Sequence, residues 1–438
     1  MKYAVVTFGC RVNQADSLEI EGELRARGAV GVAPGDADVV IVNTCSVTAA
    51  ADQGARQAIR RVARVNPSAQ IVVTGCYATR QPGDVASLPN VARVVPNRDK
   101  ERLATELADA FGLTTAARFA GGDGPCGAPL EPGVAGRTAL TVRVQTGCDQ
   151  RCSYCIIPST RGAGRSKPLA AIRTTLERAV DAGYREIALT GVHLGSYGRD
   201  LGDGASLVSL VRMLAGWRAD VLFRLSSLEP MDCSPELVEL VAASPRLAPH
   251  FHLPLQHAAD EMLAAMRRPY SLAYYRGLVD LIRARMPHAS IGSDVIVGFP
   301  GETDAHASAL LAYLPRSPLT HVHVFPYSHR PGTEASALDG VPAPPVVQQR
   351  AAAVRGASEQ LSRGFRAAQA GTVRRALVVD DGASAVTDNY LRLRLDRVCV
   401  RNEWIDVEIV DGKTGRVVTH GVSPAAEAVR KLSSASAR

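Results

Sequence analysis

Apolar and polar positions alternate along the first part of the chain in a way that predicts strands and helices in turn. Short apolar runs of strand length occupy residues 3–7, 39–43 and 71–74. Between them, residues 16–27 and 50–65 have the length and composition of helices. This alternation is typical of a parallel sheet wrapped by helices, so we expect an α/β fold with an open parallel sheet.

A second series of strand-like runs begins after a stretch that is rich in glycine and proline. Residues 116–136 include Gly121-Gly122-Asp123-Gly124-Pro125, a composition typical of a linker. Beyond it, six apolar runs alternate with helical patterns and predict a partial (β/α)6 barrel, rather than a closed eight-stranded one. These runs lie at residues 138–144, 186–190, 222–225, 250–255, 291–297 and 321–325.

The pattern changes once more near the end of the chain. After a helical segment at residues 346–367, strand-like runs at 373–379, 390–395 and 404–410 are separated by Asp-Gly turns. Such runs predict a small antiparallel β domain. We therefore divide the chain into four segments, namely an N-terminal domain (1–115), a linker (116–136), a central barrel (137–367) and a β domain (368–438).

Composition narrows the class of protein. The 438 residues are 46% hydrophobic and 21% charged, which excludes a disordered or fibrous chain. Lysine and arginine exceed the acidic residues by seven, an excess that suits an anionic partner such as RNA without identifying it. No apolar run approaches the ~18 residues that span a bilayer, and no signal peptide is evident, so we expect a cytoplasmic protein without a membrane partner.

The nine cysteines carry the candidate chemistry, because clustered cysteines in a reducing compartment are more often metal ligands than disulfides. Cys148, Cys152 and Cys155 form a CxxxCxxC run after the first barrel strand. Three thiolates on one loop can hold three irons of a [4Fe-4S] cluster and leave the fourth iron open. The alternative is a structural zinc site, which wants four ligands and usually a second paired motif.

Three other cysteines share a different feature, since Cys10, Cys45 and Cys76 each follow a predicted strand. Residues at the carboxyl ends of adjacent parallel strands meet in one crevice, so these thiols are predicted to form a second ligand set. The alternative is three unrelated buried thiols, because free cysteine is common in protein cores. Three cysteines fit neither pattern and are interpreted as ordinary thiols: Cys126, Cys233 and Cys399.

With both triads in view, the chain resembles the radical S-adenosylmethionine methylthiotransferases over nearly its full length. The matching motifs are Gly9-Cys10-Arg11-Val12-Asn13-Gln14, Asn43-Thr44-Cys45, Thr74-Gly75-Cys76, Cys148 through Gly162, and Gly298-Phe299-Pro300-Gly301-Glu302-Thr303. The resemblance implies one [4Fe-4S] cluster on each cysteine triad, S-adenosylmethionine as a cofactor, and a C-terminal TRAM-like domain.

Two segments look like the family branch that acts on N6-threonylcarbamoyladenosine beside the tRNA anticodon, namely Arg11-Val12-Asn13-Gln14 and Thr387-Asp388-Asn389-Tyr390-Leu391. The resemblance implies methylthiolation of C2 of that nucleoside. Three alternatives stay open: isopentenyladenosine in tRNA as the substrate, a ribosomal protein side chain as the substrate, or a non-catalytic, zinc-stabilised RNA-binding protein.

The resemblance also implies how the residues share the chemistry. S-adenosylmethionine binds the open iron at Cys148, Cys152 and Cys155 and is cleaved to a 5′-deoxyadenosyl radical, while the N-terminal cluster presents the sulfur. The implied partners are the tRNA anticodon loop, an electron donor protein and a sulfur source. Seven residues are predicted to contact the cofactor: Tyr154, Ile157, Thr190, Gly191, Ser226, Glu229 and Gln256. The alternative for each is a residue that satisfies local backbone groups.

Basic residues downstream of the cysteine loop are candidates for phosphate contacts, or else parts of an ordinary solvated surface. They are Arg161, Arg165, Lys167, Arg267 and Arg268. One departure from the family pattern stands nearby, because His257-Ala258-Ala259 occupies the place where the family usually has Ser-Gly-Ser.

Overall fold

The computed structural model describes residues 1–113 and 138–418, and its N-terminal part is an open parallel sheet. Five strands pair in the order β2-β1-β3-β4-β5, which confirms the predicted parallel sheet. The strands and helices are β1 (Lys2–Thr7), α1 (Arg11–Ala26), β2 (Val30–Gly31), β3 (Val39–Thr44), α2 (Ala49–Val65), β4 (Gln70–Gly75), α3 (Cys76–Arg80), α4 (Pro82–Ala86), β5 (Val91–Val95) and α5 (Leu103–Ala110).

Helices cover both faces of this sheet, which explains why β3 is buried at every position. Val40 and Val42 pack with Ile59 of α2 on one face, while Val39 and Ile41 pack against α1 and α5 on the other. Strands that are buried on both faces are apolar throughout rather than alternating. The sequence pattern and the position of the strand in the sheet therefore agree.

Six parallel strands form the central part, as predicted, and they divide into two sheets of three, β10-β9-β6 and β11-β12-β13. The fourth predicted run, residues 250–255, forms a strand that ends at His252, because Pro254 lacks an N–H for the ladder. The elements are β6 (Leu140–Arg143), β7 (Gln145–Thr146), α6 (Ile157–Arg161), β8 (Arg165–Ser166), α7 (Leu169–Asp181), β9 (Glu186–Thr190), α8 (Leu207–Ala215), β10 (Leu222–Leu225), α9 (Pro235–Ala243), β11 (His250–His252), α10 (Asp260–Ala265), α11 (Leu272–Arg285), β12 (Ser290–Val297), α12 (Asp304–Tyr313), β13 (His321–Pro326) and α13 (Pro344–Gln369).

The two faces of these six strands differ in character. Residues such as Ile187, Phe251 and Ile291 belong to the large apolar core between the strands and the surrounding helices. Because side chains alternate along a strand, the neighbours of these residues face the lumen of the partial barrel, and many are polar. Arg224 and His250 are examples, and both are buried. The lumen is therefore a polar chamber rather than a second apolar core.

The C-terminal part is a closed five-stranded barrel with the order β14-β15-β16-β18-β17. The prediction of a small antiparallel β domain is confirmed, with one exception, since β16 and β18 pair in parallel. The strands are β14 (Val373–Val379), β15 (Ser384–Thr387), β16 (Arg392–Leu395), β17 (Trp404–Ile409) and β18 (Thr414–Val417). Across the described ranges, none of the helices combines the length and the apolar character that a membrane crossing requires.

Candidate active site

The N-terminal cysteines lie at the ends of three neighbouring strands. Cys10 caps α1 just after β1, Cys45 directly follows β3, and Cys76 opens α3 after β4. Since β1, β3 and β4 are adjacent in the sheet, their carboxyl ends share one edge. We call these three residues the N-terminal triad.

Two glycines allow the backbone to bring the N-terminal triad together. Gly9 has φ of +93°, and a Cβ there would lie 2.6 Å from the Cys45 Sγ. Gly75 has φ of +100°, and a Cβ there would lie 2.2 Å from the Thr44 carbonyl oxygen. Both the positive φ and the close approach favour glycine over any residue with a side chain.

The thiols of the N-terminal triad influence one another. Burial raises the pKa of Cys45 to about 11, and the nearby Cys10 and Cys76 thiols contribute to the increase. The Val47 amide donates to the Cys45 Sγ at 3.5 Å, and the Asn97 Nδ2 donates to the Cys76 Sγ at 3.6 Å. Three thiols with nearby N–H donors fit an iron–sulfur cluster, because bound iron deprotonates its thiol ligands and such donors stabilise the sulfur charge.

Arg161 joins the N-terminal triad to the central part of the chain. Its Nη2 donates to the Asn13 Oδ1 and, at 3.1 Å, to the Asp16 Oδ2. Burial opposes the charge on Arg161, but Asp16 and the Cys76 and Cys10 thiols raise its pKa. Neither interpretation of Arg161, a phosphate contact or part of a solvated surface, agrees with the structure, because its guanidinium is buried and already paired.

Asp16 is the centre of a buried charge network that the sequence did not reveal. Its carboxylate pairs with Lys100 at 2.9 Å, Arg143 at 3.1 Å and Arg161 at 3.1 Å. Burial would raise the pKa of Asp16, but the three cations hold it well below its usual range. Because Arg143 and Arg161 belong to the central part, this network fastens α1 to the barrel.

The central cysteines lie on the loop between β7 and α6 and form the central triad, Cys148, Cys152 and Cys155. Burial raises the pKa of Cys155 to about 12, and the Cys152 and Cys148 thiols contribute to the increase. Gly147 starts the loop with φ of +74°, and a Cβ there would lie 1.8 Å from the Ala163 carbonyl oxygen. The loop therefore depends on glycine at its start, as the N-terminal triad does.

A buried arginine contacts the central triad. The Arg268 Nη1 donates to the Cys152 Sγ at 3.1 Å, and its Nη2 donates to the Glu229 carboxylate. This places Glu229, a predicted cofactor contact, beside the central triad. Neither interpretation of Arg268, a phosphate contact or part of a solvated surface, agrees with the structure, since the residue is only 6% exposed. Arg267 is exposed and pairs with Glu334.

His193 is a further residue at the central triad that sequence reasoning missed. Its Nε2 lies 2.6 Å from the Asp232 Oδ2, and its ring also hydrogen-bonds with the Cys148 thiol. Burial would lower the pKa of His193, but these two contacts raise it to about 9. The only sequence signal was its position three residues after the end of β9, at the carboxyl edge of the barrel.

The other predicted cofactor contacts lie at the carboxyl ends of strands or in the cysteine loop. Thr190 ends β9, and Gly191 follows it against the Gln145 side chain. Ile157 is the first residue of α6. The Ser226 Oγ follows β10 and is buried without a hydrogen-bond partner, so it is available to a ligand.

One cleft is lined by residues that are close in sequence to a cysteine of each triad, and we call it the shared cleft. On one side are Val47 and Thr48, which follow Cys45 closely in sequence. On the other side is Tyr154, which lies between Cys152 and Cys155. The cleft has a volume of about 180 Å³. Its remaining lining residues are Gln256, Asp294, Ile296, Phe325, Pro326, Tyr327 and Ser328.

The remaining basic candidates and unusual residues have ordinary surroundings. Lys167 pairs with Glu19 at 2.5 Å, whereas Arg165 is exposed. His257, from the segment that departs from the family pattern, is buried and accepts a hydrogen bond from the Ala259 amide at 3.0 Å. Cys233 is a buried thiol, and Cys399 is a free thiol of the C-terminal barrel. Cys126 and the predicted linker lie outside the described residues.

The sequence also gave no sign of a second buried carboxylate between the N-terminal sheet and the barrel. Asp52 of α2 pairs with Arg80 at 2.6 Å and with Arg330 at 2.7 Å. Arg330 follows β13, so this contact joins the N-terminal sheet to the end of the barrel. The Asp16 network instead joins it to Arg143 and Arg161, near the start of the barrel. Neither aspartate stands in a pattern that distinguishes it from an exposed residue of an amphipathic helix.

Two parts of the chain match known family models. Residues 142–314 match the radical SAM superfamily, and residues 2–96 match the family described as uncharacterized protein family UPF0004. The structure is similar to that of the radical S-adenosylmethionine methyltransferase TsrM from Kitasatospora setae, with a TM-score of 0.55 and 17% identity over 76% of this chain and 77% of that one. That likeness concerns the fold alone. The class is therefore a radical SAM enzyme, which implies S-adenosylmethionine and a [4Fe-4S] cluster.

Sequence relatives narrow the class. The chain is 35% identical to the threonylcarbamoyladenosine tRNA methylthiotransferase MtaB of Thermotoga maritima, over 77% of each chain. It is 34% identical to the protein of that name from Aquifex aeolicus, over 90% of this chain and 96% of the relative. It is also 35% identical to the ribosomal protein uS12 methylthiotransferase RimO of Roseiflexus castenholzii, over 94% and 90%. The chain belongs to the radical SAM methylthiotransferase family, and this membership excludes the non-catalytic zinc protein.

Proposed function

We propose that this enzyme modifies tRNA by attaching a methylthio group to C2 of N6-threonylcarbamoyladenosine next to the anticodon. The relatives from Thermotoga maritima and Aquifex aeolicus carry the name of that nucleoside. The proposal includes two [4Fe-4S] clusters, one on the N-terminal triad and one on the central triad. An electron donor protein and a sulfur source complete the set of partners.

The observation that carries the proposal is the shared cleft. Methylthiolation needs a radical source and a sulfur source that reach the same carbon atom. Val47 and Thr48, which follow Cys45, and Tyr154, which precedes Cys155, all line this cleft. A base that is turned out of the anticodon loop could enter such a cleft and stack on Tyr154 or Phe325.

Several residues near the central triad are proposed to have distinct functions. When bound there, the cluster and S-adenosylmethionine supply a carbon radical that can attack an unactivated C–H bond. Arg268 holds a positive charge at 3.1 Å from the Cys152 Sγ and fixes the Glu229 carboxylate. Tyr154 packs among apolar residues and excludes water from this side of the cleft. The free Ser226 hydroxyl is proposed to bind a polar group of the cofactor.

Four further residues are proposed to contact the cofactor because of their positions along the backbone. Gln256 has φ of +64° and lines the shared cleft, so its side chain is proposed to bind S-adenosylmethionine. Thr190 and Gly191 are proposed to approach the methionine part, where glycine permits close backbone contact. Ile157 is proposed to contact the adenine from the start of α6.

The choice of threonylcarbamoyladenosine is supported by a contact between the two segments that resemble that branch. The Arg11 Nη2 donates to the Tyr390 hydroxyl at 2.7 Å, although the residues are 379 positions apart. The Arg224 guanidinium lies 4.4 Å from the centre of the Tyr390 ring. A second cleft of about 460 Å³ opens here, and Arg11 and Arg392 line it as possible phosphate contacts.

Anaerobic turnover of the fully reconstituted enzyme tests the proposal. The substrates are tRNA bearing threonylcarbamoyladenosine, tRNA bearing isopentenyladenosine, and ribosomal protein uS12, with products identified by mass spectrometry. We expect the first to gain one CH2S unit and the other two to stay unchanged. A gain on either of the others, with none on the first, contradicts the proposed substrate. Cys399→Ala is the matched control, because this thiol lies outside both triads and should retain activity.

A further inference from the structure

Three histidines meet in the lumen of the partial barrel. His252 ends β11, and His321 and His323 lie on β13. Between these strands runs β12, whose Gly292 pairs with His252 on one side and with His321 on the other. The sequence contains a signal for this arrangement, because the histidines belong to two His-x-His runs, and residues two apart face the same side of a strand.

Gly292 leaves the space into which the two flanking rings lean. A Cβ at this position would lie 2.4 Å from the His321 Nε2 and 2.9 Å from the His252 Nδ1. These two nitrogen atoms therefore face the same small volume. The His323 ring completes the group, with its centre 5.4 Å from that of His321 and 5.6 Å from that of His252.

The opposite nitrogen of each flanking ring already has a partner. The His252 Nε2 lies 3.0 Å from the Asp294 Oδ1, and the His321 Nδ1 lies 3.0 Å from the Thr320 hydroxyl. Histidines that bind metals characteristically use one nitrogen as the ligand and hold the other to a carboxylate, carbonyl or similar group. These contacts orient both rings and leave the His252 Nδ1 and the His321 Nε2 facing inward.

We propose that His252, His321 and His323 bind one Zn²⁺ ion in the barrel lumen. Their candidate ligand nitrogens all lie within 4.8 Å of one another. Zinc–nitrogen bonds of about 2.0–2.1 Å require tetrahedral ligands roughly 3.3 Å apart, so small ring rotations bring the three into position. Three imidazoles leave a fourth position for water, and the exposed ring of His323 provides an entry path.

The ion would have a defined place relative to the active site. It would join β11 to β13 across β12, the strand that lies between them in the sheet. Asp294, which holds the His252 ring, also lines the shared cleft. The zinc site is thus a metal centre beside the shared cleft, additional to the two proposed clusters, and it uses none of the cysteine ligands.

Zinc binding to the holoenzyme tests this inference directly. Enzyme with both cysteine triads occupied by iron–sulfur clusters is freed of loose metal with a chelator, dialysed against zinc chloride and analysed for zinc and iron. X-ray absorption at the zinc edge then identifies the ligands. We expect about one zinc per chain, with nitrogen ligands at about 2.0–2.1 Å and without the sulfur shell at about 2.3 Å that cysteine ligation produces.

Substitutions locate the ion. His321→Gln and His323→Ala are each expected to weaken zinc binding roughly tenfold or more, whereas His288→Ala, which removes an exposed histidine before β12, should not. Unchanged iron content and cluster absorbance show that each variant is folded. His323 is exposed, so its variant remains informative even if His321→Gln does not fold. A holoenzyme without zinc, zinc with sulfur ligands, or equal zinc binding by all three folded variants would refute the site.

Discussion

The two cysteine triads are brought together in different ways. The central triad lies within one loop, so its ligands stay near one another whatever the rest of the chain does. The N-terminal triad exists only because β1, β3 and β4 are neighbours in one sheet. A cluster site built from one loop is a local property, whereas a site built from three strand ends depends on the whole domain.

The arginines beside the two triads differ in the same way, because one belongs to the same part of the chain as its triad and the other does not. Arg268 contacts Cys152 from the same barrel that carries the central triad. Arg161 reaches the N-terminal triad from the barrel, and Asp16 and Asn13 hold it there. The N-terminal triad therefore depends on correct packing between two parts of the chain, and the central triad does not.

The largest expected effect is the loss of activity when a cysteine of either triad is replaced. It distinguishes the functions of the two triads. Cys152→Ala should abolish both reductive cleavage of S-adenosylmethionine and methylthiolation, because it removes a ligand of the cluster at which the cofactor binds. Cys45→Ala should abolish methylthiolation only, and each variant should lose about half of the iron. Iron analysis and chromatography of 5′-deoxyadenosine measure these outcomes. If Cys152→Ala still cleaves the cofactor, the assignment of the central triad is wrong.

Asp16→Asn tests whether the N-terminal triad depends on packing between the two parts. Removing one partner from a buried ion network leaves uncompensated charges and costs about 3–5 kcal/mol of unfolding free energy. Urea unfolding of the cluster-free chain measures this loss. Asp304→Asn is the control, because that side chain is 95% exposed and should change stability by less than about 0.5 kcal/mol.

The stability loss in Asp16→Asn should depend on pH. The reason is the pKa of Asp16, which the three cations hold well below its usual range. A carboxylate with a lowered folded pKa stabilises the fold fully above its unfolded pKa of about 3.9. The contribution decreases as the pH falls from there towards the folded pKa. The free-energy difference between wild type and Asp16→Asn should thus be constant near neutral pH and shrink below about pH 4, and a constant difference at all pH values would contradict the network.

The next largest effect is a change in the reduction potential of each cluster when its neighbouring arginine is replaced. Arg268→Met should make the potential of the central cluster more negative, because a nearby positive charge no longer stabilises the added electron. Arg161→Met should shift the N-terminal cluster in the same direction, and each variant should lose about 10- to 100-fold in turnover. Redox titration followed by electron paramagnetic resonance distinguishes the clusters. Identical shifts of both clusters in both variants would show that the arginines act on the overall fold instead.

The smallest effect concerns the C-terminal barrel. Tyr390→Phe removes the hydroxyl that Arg11 contacts at 2.7 Å, a hydrogen bond worth about 1 kcal/mol. We expect the KM for tRNA to rise several-fold, while cleavage of S-adenosylmethionine without tRNA stays unchanged. Steady-state kinetics with each substrate measures the split. An equal fall in both activities would mean that Tyr390 supports the fold rather than substrate binding.

The sequence predicted the features that depend on residues close together in the chain. Strand-length apolar runs located the N-terminal sheet and the six barrel strands, and the spacing of Cys148, Cys152 and Cys155 marked the loop. The position of Cys10, Cys45 and Cys76 after strands was visible because each βα unit has a similar length. Their convergence was predicted from the rule that adjacent parallel strands end at one edge, and the strand order shows that β1, β3 and β4 are indeed adjacent.

The features that the sequence missed depend on distant partners. Arg161 and Asp16 are 145 positions apart, and Arg330 and Asp52 are 278 apart. A basic residue after a cysteine loop has the same pattern whether it faces solvent or a buried carboxylate, so the sequence did not show that Arg161 and Arg268 are buried and paired. Burial and pairing, rather than residue type, determine the role of such an arginine.

The central claim is that two clusters serve one cleft, and the magnetic interaction between them tests it most directly. In fully reduced wild-type enzyme, electron paramagnetic resonance should show a spectrum broadened by coupling between two neighbouring cluster spins. Cys45→Ala and Cys152→Ala should each give a simple single-cluster spectrum. A wild-type spectrum that equals the sum of the two variant spectra would show that the clusters lie far apart, and it would contradict the account.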